Sequence, residues 1–243
     1  MNNKIYVVGF GPGDESQITN QARNAIVESD IVIGYTLYVE LIEKSFPNKK
    51  YLSTPMKKEV ERCKLALETA REGNKVAFVC SGDAGVYGMA SLILELQEDF
   101  KDVEVEIVPG LTAATAGAAV LGAPINHDFA VISLSDLLTP WEKIEKRLSC
   151  AADADLVICL YNPSSMKRHD YLQKACDILL KFKSSDTICG YVKNIARKGE
   201  SKKILTLQEL RNEQVDMFTT VFVGNSQTRN IGENMVTPRG YKI

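Results

Sequence analysis

The sequence has few of the residues on which metal and redox sites depend. Histidine occurs only twice, at positions 127 and 169, and none of the six cysteines has Cys-x-x-Cys spacing. Zinc and iron–sulfur sites require clustered thiols or imidazoles. The sequence therefore predicts no protein-held metal, and it predicts that most cysteines are small buried side chains.

Long apolar runs and long basic runs are also absent. No apolar stretch approaches the roughly 18 residues of a membrane-spanning helix, and Met1-Asn-Asn-Lys leads directly into a short strand. The net charge of −2 gives no electrostatic support for binding nucleic acid or an anionic membrane. We expect a cytoplasmic protein with neither of these partners.

The chain does contain enough apolar material for a large core, with 45% hydrophobic content in 243 residues. Apolar strand-like runs alternate with amphipathic helical segments from residue 4 onward, which predicts an α/β fold. We expect two α/β domains, residues 1–115 and 116–243, with a ligand cleft between them. The small-residue helix predicted over 112–121 allows either close ligand approach or tight helix packing.

The most informative segment is Cys80-Ser-Gly-Asp-Ala-Gly-Val-Tyr-Gly-Met-Ala90, which follows the apolar run 75–80. Its glycines allow close backbone approach, and Asp83 comes at the carboxyl end of the predicted strand, where open α/β sheets bind ligands. The segment predicts a loop that holds a small cofactor. The alternative is an ordinary turn in which Asp83 caps the following helix.

A second glycine-rich loop, 9–14, follows the first predicted strand. It departs from the dinucleotide-binding pattern because Asp14 occupies the last glycine position and Pro12 removes a backbone N–H donor. The acidic residue expected after the second strand is also missing, since that strand ends at Gly34. These departures argue against a nucleotide-binding oxidoreductase.

Three motifs together resemble the tetrapyrrole methylases, the class III S-adenosylmethionine-dependent methyltransferases. They are Gly-Phe-Gly-Pro-Gly at 9–13, Ser-Gly-Asp at 81–83 and Pro-Gly-Leu-Thr-Ala at 109–113. The resemblance covers residues 4 to 240 in order and spacing, and it implies the two-domain fold of that family. These motifs alone indicate the cofactor and leave the substrate open.

A second set of motifs narrows the resemblance to the precorrin-3B C(17)-methyltransferase branch of the family. It implies methylation of C-17 of precorrin-3B or cobalt-factor III with ring contraction, a small-molecule tetrapyrrole partner, and a homodimer. The sequence does not distinguish a metal-free from a cobalt-containing macrocycle. The motifs lie at 82–89, 121–129, 132–142, 160–163, 223–226 and 235–241.

The resemblance also implies which residues bind S-adenosylmethionine and its product S-adenosylhomocysteine. Those from the first half belong to the three loops, and two tyrosines from the second half close the pocket. The set is Phe10, Pro12, Gly82, Asp83, Val86, Thr112, Ala113, Tyr161 and Tyr191.

The substrate's acetate and propionate arms call for cations, and ring contraction calls for an acid or base. Arg239, Lys57 and Arg197 are the predicted substrate-binding residues; each is alternatively a solvated surface cation. His127 is the predicted acid or base, oriented by Asp128, with Ser135 bonding substrate oxygens. The alternative is that His127 is structural, before the strand at 129–134.

Three other functions stay open at this point. One is a class III methyltransferase acting on a different tetrapyrrole or on a macromolecule, against which segment 132–142 argues. Another is the oxidoreductase that the loop at 9–14 disfavours. The last is a non-catalytic module that senses S-adenosylmethionine, which turnover with a tetrapyrrole would exclude.

Overall fold

A computed structural model describes residues 3–165 and 168–242. It has the predicted α/β architecture and divides into two compact units, Met1–Thr112 and Ala113–Ile243. No helix in the described part of the chain has the length and apolarity needed to cross a membrane.

The N-terminal unit is a doubly covered parallel sheet. Its strands follow the order β3-β2-β4-β1-β5, and every pair in that sheet is parallel. The elements are β1 Lys4–Gly9, α1 Asn20–Glu28, β2 Ile31–Tyr35, α2 Thr36–Ile42, β3 Lys50–Thr54, α3 Glu59–Arg71, β4 Lys75–Cys80, α4 Ala90–Gln97 and β5 Glu104–Val108.

Strand β1 shows why this sheet is buried on both faces. Ile5 and Val7 pack with α3 and α4, whereas Tyr6 and Val8 pack with α1 on the other face. Such double burial explains the nearly continuous apolar runs of β1 and β4. Because Gly9 pairs with Cys80 in parallel register, the loops after these two strands leave from the same edge.

The C-terminal unit contains a mixed five-stranded sheet in the order β10-β9-β11-β8-β7 and a small sheet in the order β12-β13-β6. Only β7 and β8 pair in parallel within the larger sheet. The elements are α5 Ala113–Leu121, β6 Gly122–Ala123, β7 Phe129–Ser133, α6 Trp141–Asp153, β8 Val157–Tyr161, α7 Tyr171–Leu179, β9 Ile188–Lys193, β10 Ser201–Thr206, α8 Leu207–Leu210, β11 Thr219–Val223, β12 Arg229–Ile231 and β13 Asn234–Val236.

Two different clusters cover the faces of the larger sheet. Helices α6, α7 and α8 pack on one face, against side chains that include Leu160 and Cys189. Helix α5 packs on the other face, where Gly117 admits Phe222; a Cβ on Gly117 would lie 3.1 Å from the Phe222 ring. Close packing is thus one use of the small-residue helix.

Candidate functional site

The glycine loops after β1 and β4 are joined through their backbones. The Gly82 N–H donates to Gly11 O at 2.7 Å, and the Gly11 N–H donates to Gly82 O at 3.0 Å. Phe10 N–H donates to Cys80 O at 3.0 Å. Gly11 and Gly82 have φ of +84° and +76°, which glycine adopts without steric cost.

The loop after β5 meets the same junction. A Cβ on Gly110 would lie 2.3 Å from both Gly82 O and Gly9 O, so only glycine fits at this position. The three motifs at 9–13, 81–83 and 109–113 therefore converge at the carboxyl edge of the N-terminal sheet, as their positions at strand ends predict.

Asp83 fastens this junction. Its Oδ1 accepts the N–H groups of Gly85 at 2.8 Å and Val86 at 3.1 Å, and its Oδ2 accepts the Gly110 N–H at 2.9 Å. One carboxylate thus connects the loop after β4 to the loop after β5. Asp83 therefore does more than the simple helix cap that is the alternative from sequence, and its cofactor-binding role stays a prediction.

The residues predicted to bind the cofactor differ in exposure at this junction. A Cβ built on Gly82 would lie 3.9 Å from Thr112 Cα and 4.0 Å from Leu111 O, so the loop after β5 packs against this buried glycine. Pro12 is buried, and Val86 and Thr112 are half-buried. Phe10 is only 1% exposed, and its ring lies edge-on to Tyr38, so it belongs to the core beneath the loops.

Tyr161 and Tyr191 lie on opposite faces of the C-terminal sheet. Tyr161 packs with the α5 cluster, and its hydroxyl accepts the Ala114 N–H at 2.6 Å, one residue after Ala113. Tyr191 packs with the other cluster and donates its hydroxyl to Glu213 Oε2 at 2.9 Å. Burial, and then Glu213, raise the pKa of Tyr191. The two side chains therefore do not border one pocket.

Ser135 belongs to a polar network just after the carboxyl end of β7. Arg168 donates to Asp136 Oδ1 at 2.6 Å and reaches Ser135 Oγ at 3.5 Å. Tyr171 donates its hydroxyl to Asp136 Oδ2 at 2.6 Å. The Tyr171 hydroxyl, and then the Arg168 charge, lower the pKa of Asp136, so the network holds an ionised carboxylate.

His127 and Asp128 lie before the amino end of the same strand. The Asp128 N–H donates to His127 Nδ1 at 2.8 Å, which leaves Nε2 as the N–H position of the neutral ring. The Asp128 carboxylate is 3.8 Å from Nδ1 and largely exposed, so the backbone rather than the side chain orients the imidazole. Five residues of β7, about 13 Å of strand, separate this pair from the Ser135 network.

The three predicted substrate cations have different surroundings. Arg197 lies 5.9 Å above the Phe218 ring, and Arg239 is exposed two residues after Thr237, whose hydroxyl donates to Pro124 O. Lys57 has φ of +69°, and with segment 58–61 and Lys64 it lines an exposed hollow of about 460 Å³.

A family model described as Tetrapyrrole (Corrin/Porphyrin) Methylases matches residues 4–211 of this chain. The chain belongs to this family. The resemblance carried by the glycine motifs is thereby confirmed, together with the α/β fold that it implies.

Individual relatives of this tetrapyrrole methylase agree. A "Probable cobalt-factor III C(17)-methyltransferase" from Salmonella typhimurium is 48% identical over 240 residues, which cover 98% of this chain and all of the relative. A "Cobalt-factor III methyltransferase" from Priestia megaterium is 47% identical over the whole chain, which spans 46% of that longer protein. The solved structure of the methyltransferase CobJ is 35% identical, with a TM-score of 0.88 over 96% of this chain and 99% of CobJ.

The thiols of this methylase behave as core side chains with one exception. Cys63, Cys80, Cys159, Cys176 and Cys189 are buried, whereas Cys150 is exposed. Burial raises the pKa of Cys63 and Cys159 to about 12 and that of Cys80 to about 11, so these thiols are protonated at neutral pH. Within the described residues no group of three or more His, Cys, Asp or Glu side chains is placed to hold a metal.

Arg62 is a residue that the sequence analysis missed. It lies in α3, and only 5% of it is exposed. In the sequence it looks like one of many surface charges of an amphipathic helix. The available signal was its spacing, because Arg62, Ala66 and Thr69 form a second buried row beside Cys63, Leu67 and Ala70.

Proposed function

We propose that this chain transfers a methyl group from S-adenosylmethionine to C-17 of cobalt-factor III or precorrin-3B and contracts the macrocycle, as a step of cobalamin biosynthesis. The observation that carries the proposal is the junction of the three glycine loops at one sheet edge, fastened by Asp83. The substrate follows from the full-length similarity to a relative named for that reaction.

The cofactor supplies a methyl group on a positively charged sulfur, which is open to in-line attack by a nucleophilic carbon. The protein's main contribution is alignment, since well-oriented reactants gain roughly 7–11 kcal/mol from entropy already lost on binding. The interlocked backbones of Gly11, Gly82 and Gly110 provide a rigid surface for this purpose. In the C-terminal unit, the bond from Ala114 N–H to Tyr161 similarly fixes the start of α5.

Ring contraction adds proton movements, for which the two ends of β7 offer different groups. The carboxyl end has Ser135 and the ionised Asp136 held by Arg168, beside the end of β8 at Tyr161. The amino end has His127 with its exposed imidazole. We propose that the Ser135 network bonds the substrate oxygens, because it lies at the same end of the sheet as Tyr161 and the start of α5.

The remaining expectations belong to the same proposal. Arg239, Lys57 and Arg197 would bind carboxylate arms of the substrate, and the enzyme would act as a cytoplasmic homodimer. Light scattering of the purified chain tests the dimer.

The decisive experiment is incubation with S-adenosylmethionine and either cobalt-factor III or precorrin-3B, followed by mass spectrometry. We expect one methyl group to be added to at least one of these macrocycles and S-adenosylhomocysteine to be released. If neither macrocycle is methylated and the chain binds NAD instead, the oxidoreductase reading of the loop at 9–14 replaces this proposal.

A further inference from the structure

Arg62 holds a positive charge inside the N-terminal unit. Its Nη1 donates to Thr54 Oγ1 at 2.7 Å and to Pro55 O at 3.3 Å, and its guanidinium lies 6.0 Å from the centroid of the Tyr35 ring. All these partners are uncharged. Arginine remains protonated in proteins, so the charge cannot be relieved by loss of a proton.

A counter-ion is missing from this arrangement. Within residues 3–165 and 168–242, no carboxylate lies within 4 Å of the Arg62 guanidinium; the nearby Glu61 pairs with Lys58 instead. The Nε and Nη2 groups of Arg62 make no hydrogen bond to this described part of the chain. Buried charges are normally paired, because removing an ion from water is costly.

The unused donors are not sealed in the core. The fully buried side-chain atoms without a partner in the described residues are Asn3 Oδ1 and Gln17 Oε1, and no atom of Arg62 is among them. The unpaired edge of the guanidinium therefore coincides with the 5% of Arg62 that solvent reaches. The planar guanidinium matches a carboxylate, which can accept two of its N–H groups.

The position of Arg62 indicates which carboxylate it meets. Tyr35 ends β2 and Thr54 ends β3, so Arg62 lies at the carboxyl edge of the sheet, where α/β sheets bind ligands. The glycine loops follow β4, β1 and β5, which occupy the other side of the strand order β3-β2-β4-β1-β5. With about 4.8 Å between strands, β3 is about 10 Å from β4.

We propose that Arg62 binds one carboxylate arm of the macrocyclic substrate at the ends of β2 and β3, apart from the cofactor loops. This inference rests on the proposed function, which supplies the tetrapyrrole. The cofactor also carries a carboxylate. The loop after β4 lies beside β2, but the loops after β1 and β5 lie beyond β4, and their distance from Arg62 favours the macrocycle. Thr54 and Pro55 hold the guanidinium in place, and the bound carboxylate provides the missing counter-ion.

The test compares Arg62→Gln with the wild-type chain by titration with uroporphyrin III, a stable tetrapyrrole with carboxylate arms, and separately with S-adenosylhomocysteine. A hydrogen bond to a charged group contributes enough that uroporphyrin affinity should fall about ten- to hundredfold. The affinity for S-adenosylhomocysteine should stay within about twofold of the wild-type value, which is a free-energy change smaller than RT. Arg71→Gln is the matched control, because Arg71 lies on the same helix and pairs with Asp102.

The outcomes separate this inference from the proposed function. If wild type binds both ligands and Arg62→Gln binds uroporphyrin equally well, or loses only S-adenosylhomocysteine, Arg62 is not a substrate-binding residue. If wild type binds neither ligand, the proposed function fails first.

A measurement on the wild-type chain covers the case in which Arg62→Gln does not fold. The Arg62 Nε–Hε resonance should shift when uroporphyrin III is added and should not shift when uroporphyrin octamethyl ester is added. An unchanged resonance at saturating uroporphyrin would overturn the assignment.

Discussion

At the scale of single residues, Asp83 shows how one side chain can fix the positions of two loops. Its carboxylate accepts three backbone N–H groups from two loops, so it fixes where those loops lie. The sequence places Asp83 at the correct strand end. It cannot reveal the bond to Gly110, which is 27 residues away and depends on the strand order.

We expect Asp83→Ala to lower the free energy of unfolding by on the order of 3 kcal/mol, because three hydrogen bonds to a charged acceptor are lost. Asp83→Asn keeps one oxygen acceptor but turns an amide toward an N–H donor. It should destabilise less and still weaken binding of S-adenosylhomocysteine. Denaturant unfolding and calorimetric titration measure the two effects.

Asp30→Asn is the matched control for Asp83. Asp30 Oδ2 accepts the Lys75 N–H at 2.8 Å at the amino edge of the same sheet, away from the glycine loops. We expect it to reduce stability and leave ligand binding unchanged. Equal loss of binding in both asparagine variants would mean that general destabilisation of the sheet, and not disruption of the junction, weakens ligand binding.

At the scale of elements, the apolar runs predicted most of the helices and strands correctly. Strand β4 matches the apolar run 75–80 residue for residue, because continuous burial produces an unambiguous run. Strands β3 and β10 were not predicted. They occupy sheet edges and have exposed polar residues, so their sequences lack that signal.

Some elements depend on contacts that sequence reasoning does not reach. Strand β6 is two residues long and exists through its pairing with β13 over a hundred residues later. The sequence pattern predicts a helix over 166–182; the structure has α7, Tyr171–Leu179, and residues 166 and 167 lie outside the described part of the chain. The site depends on such contacts too, because sequence spacing could not show that Tyr161 and Tyr191 lie on opposite faces of the sheet.

The separation of the two ends of β7 yields a test of the acid or base. The sequence predicts that His127→Ala slows ring contraction more than methyl transfer. The structure leads us to expect little change in either step for His127→Ala, and a two- to tenfold slower contraction for Ser135→Ala, as for loss of one hydrogen bond. Accumulation of a methylated, uncontracted product, seen in its absorption spectrum, shows which of the two variants slows ring contraction. Selective slowing by His127→Ala alone would restore the prediction from sequence.

The network after β7 should also stabilise the fold in a pH-dependent manner. The Tyr171 hydroxyl and Arg168 lower the pKa of Asp136 in the folded state. The resulting stabilisation is therefore present above the ordinary aspartate range, near pH 4, and is lost as pH falls through the folded pKa.

We expect the difference in melting temperature between wild type and Asp136→Asn to be largest near neutral pH and to shrink below about pH 4. Tyr171→Phe should show a smaller difference with the same pH dependence, because it removes the first of the two causes. A difference that stays constant from pH 7 to pH 3 would show that ionisation of Asp136 contributes nothing to stability.

At the scale of the whole molecule, the residues on which the proposed function depends are divided between the two units. The N-terminal unit has the interlocked glycine loops and the unpaired charge of Arg62, and the C-terminal unit has Tyr161 and the Ser135 network. The overall charge of −2 gave no indication of the unpaired Arg62 cation. In the proposed function, the carboxylate arms of the substrate account for this cation without a basic surface.

The most direct test of C-17 methylation uses a ¹³C-labelled methyl group on S-adenosylmethionine. The labelled cofactor is incubated with cobalt-factor III or precorrin-3B, and the isolated product is examined by NMR. We expect the label on C-17 of a contracted macrocycle. Label on another carbon, or on a macromolecule, would assign the chain to a different reaction of the tetrapyrrole methylase family. No transfer, with S-adenosylmethionine bound but unchanged, would identify a module that senses the cofactor and would rule out the proposed methyl transfer.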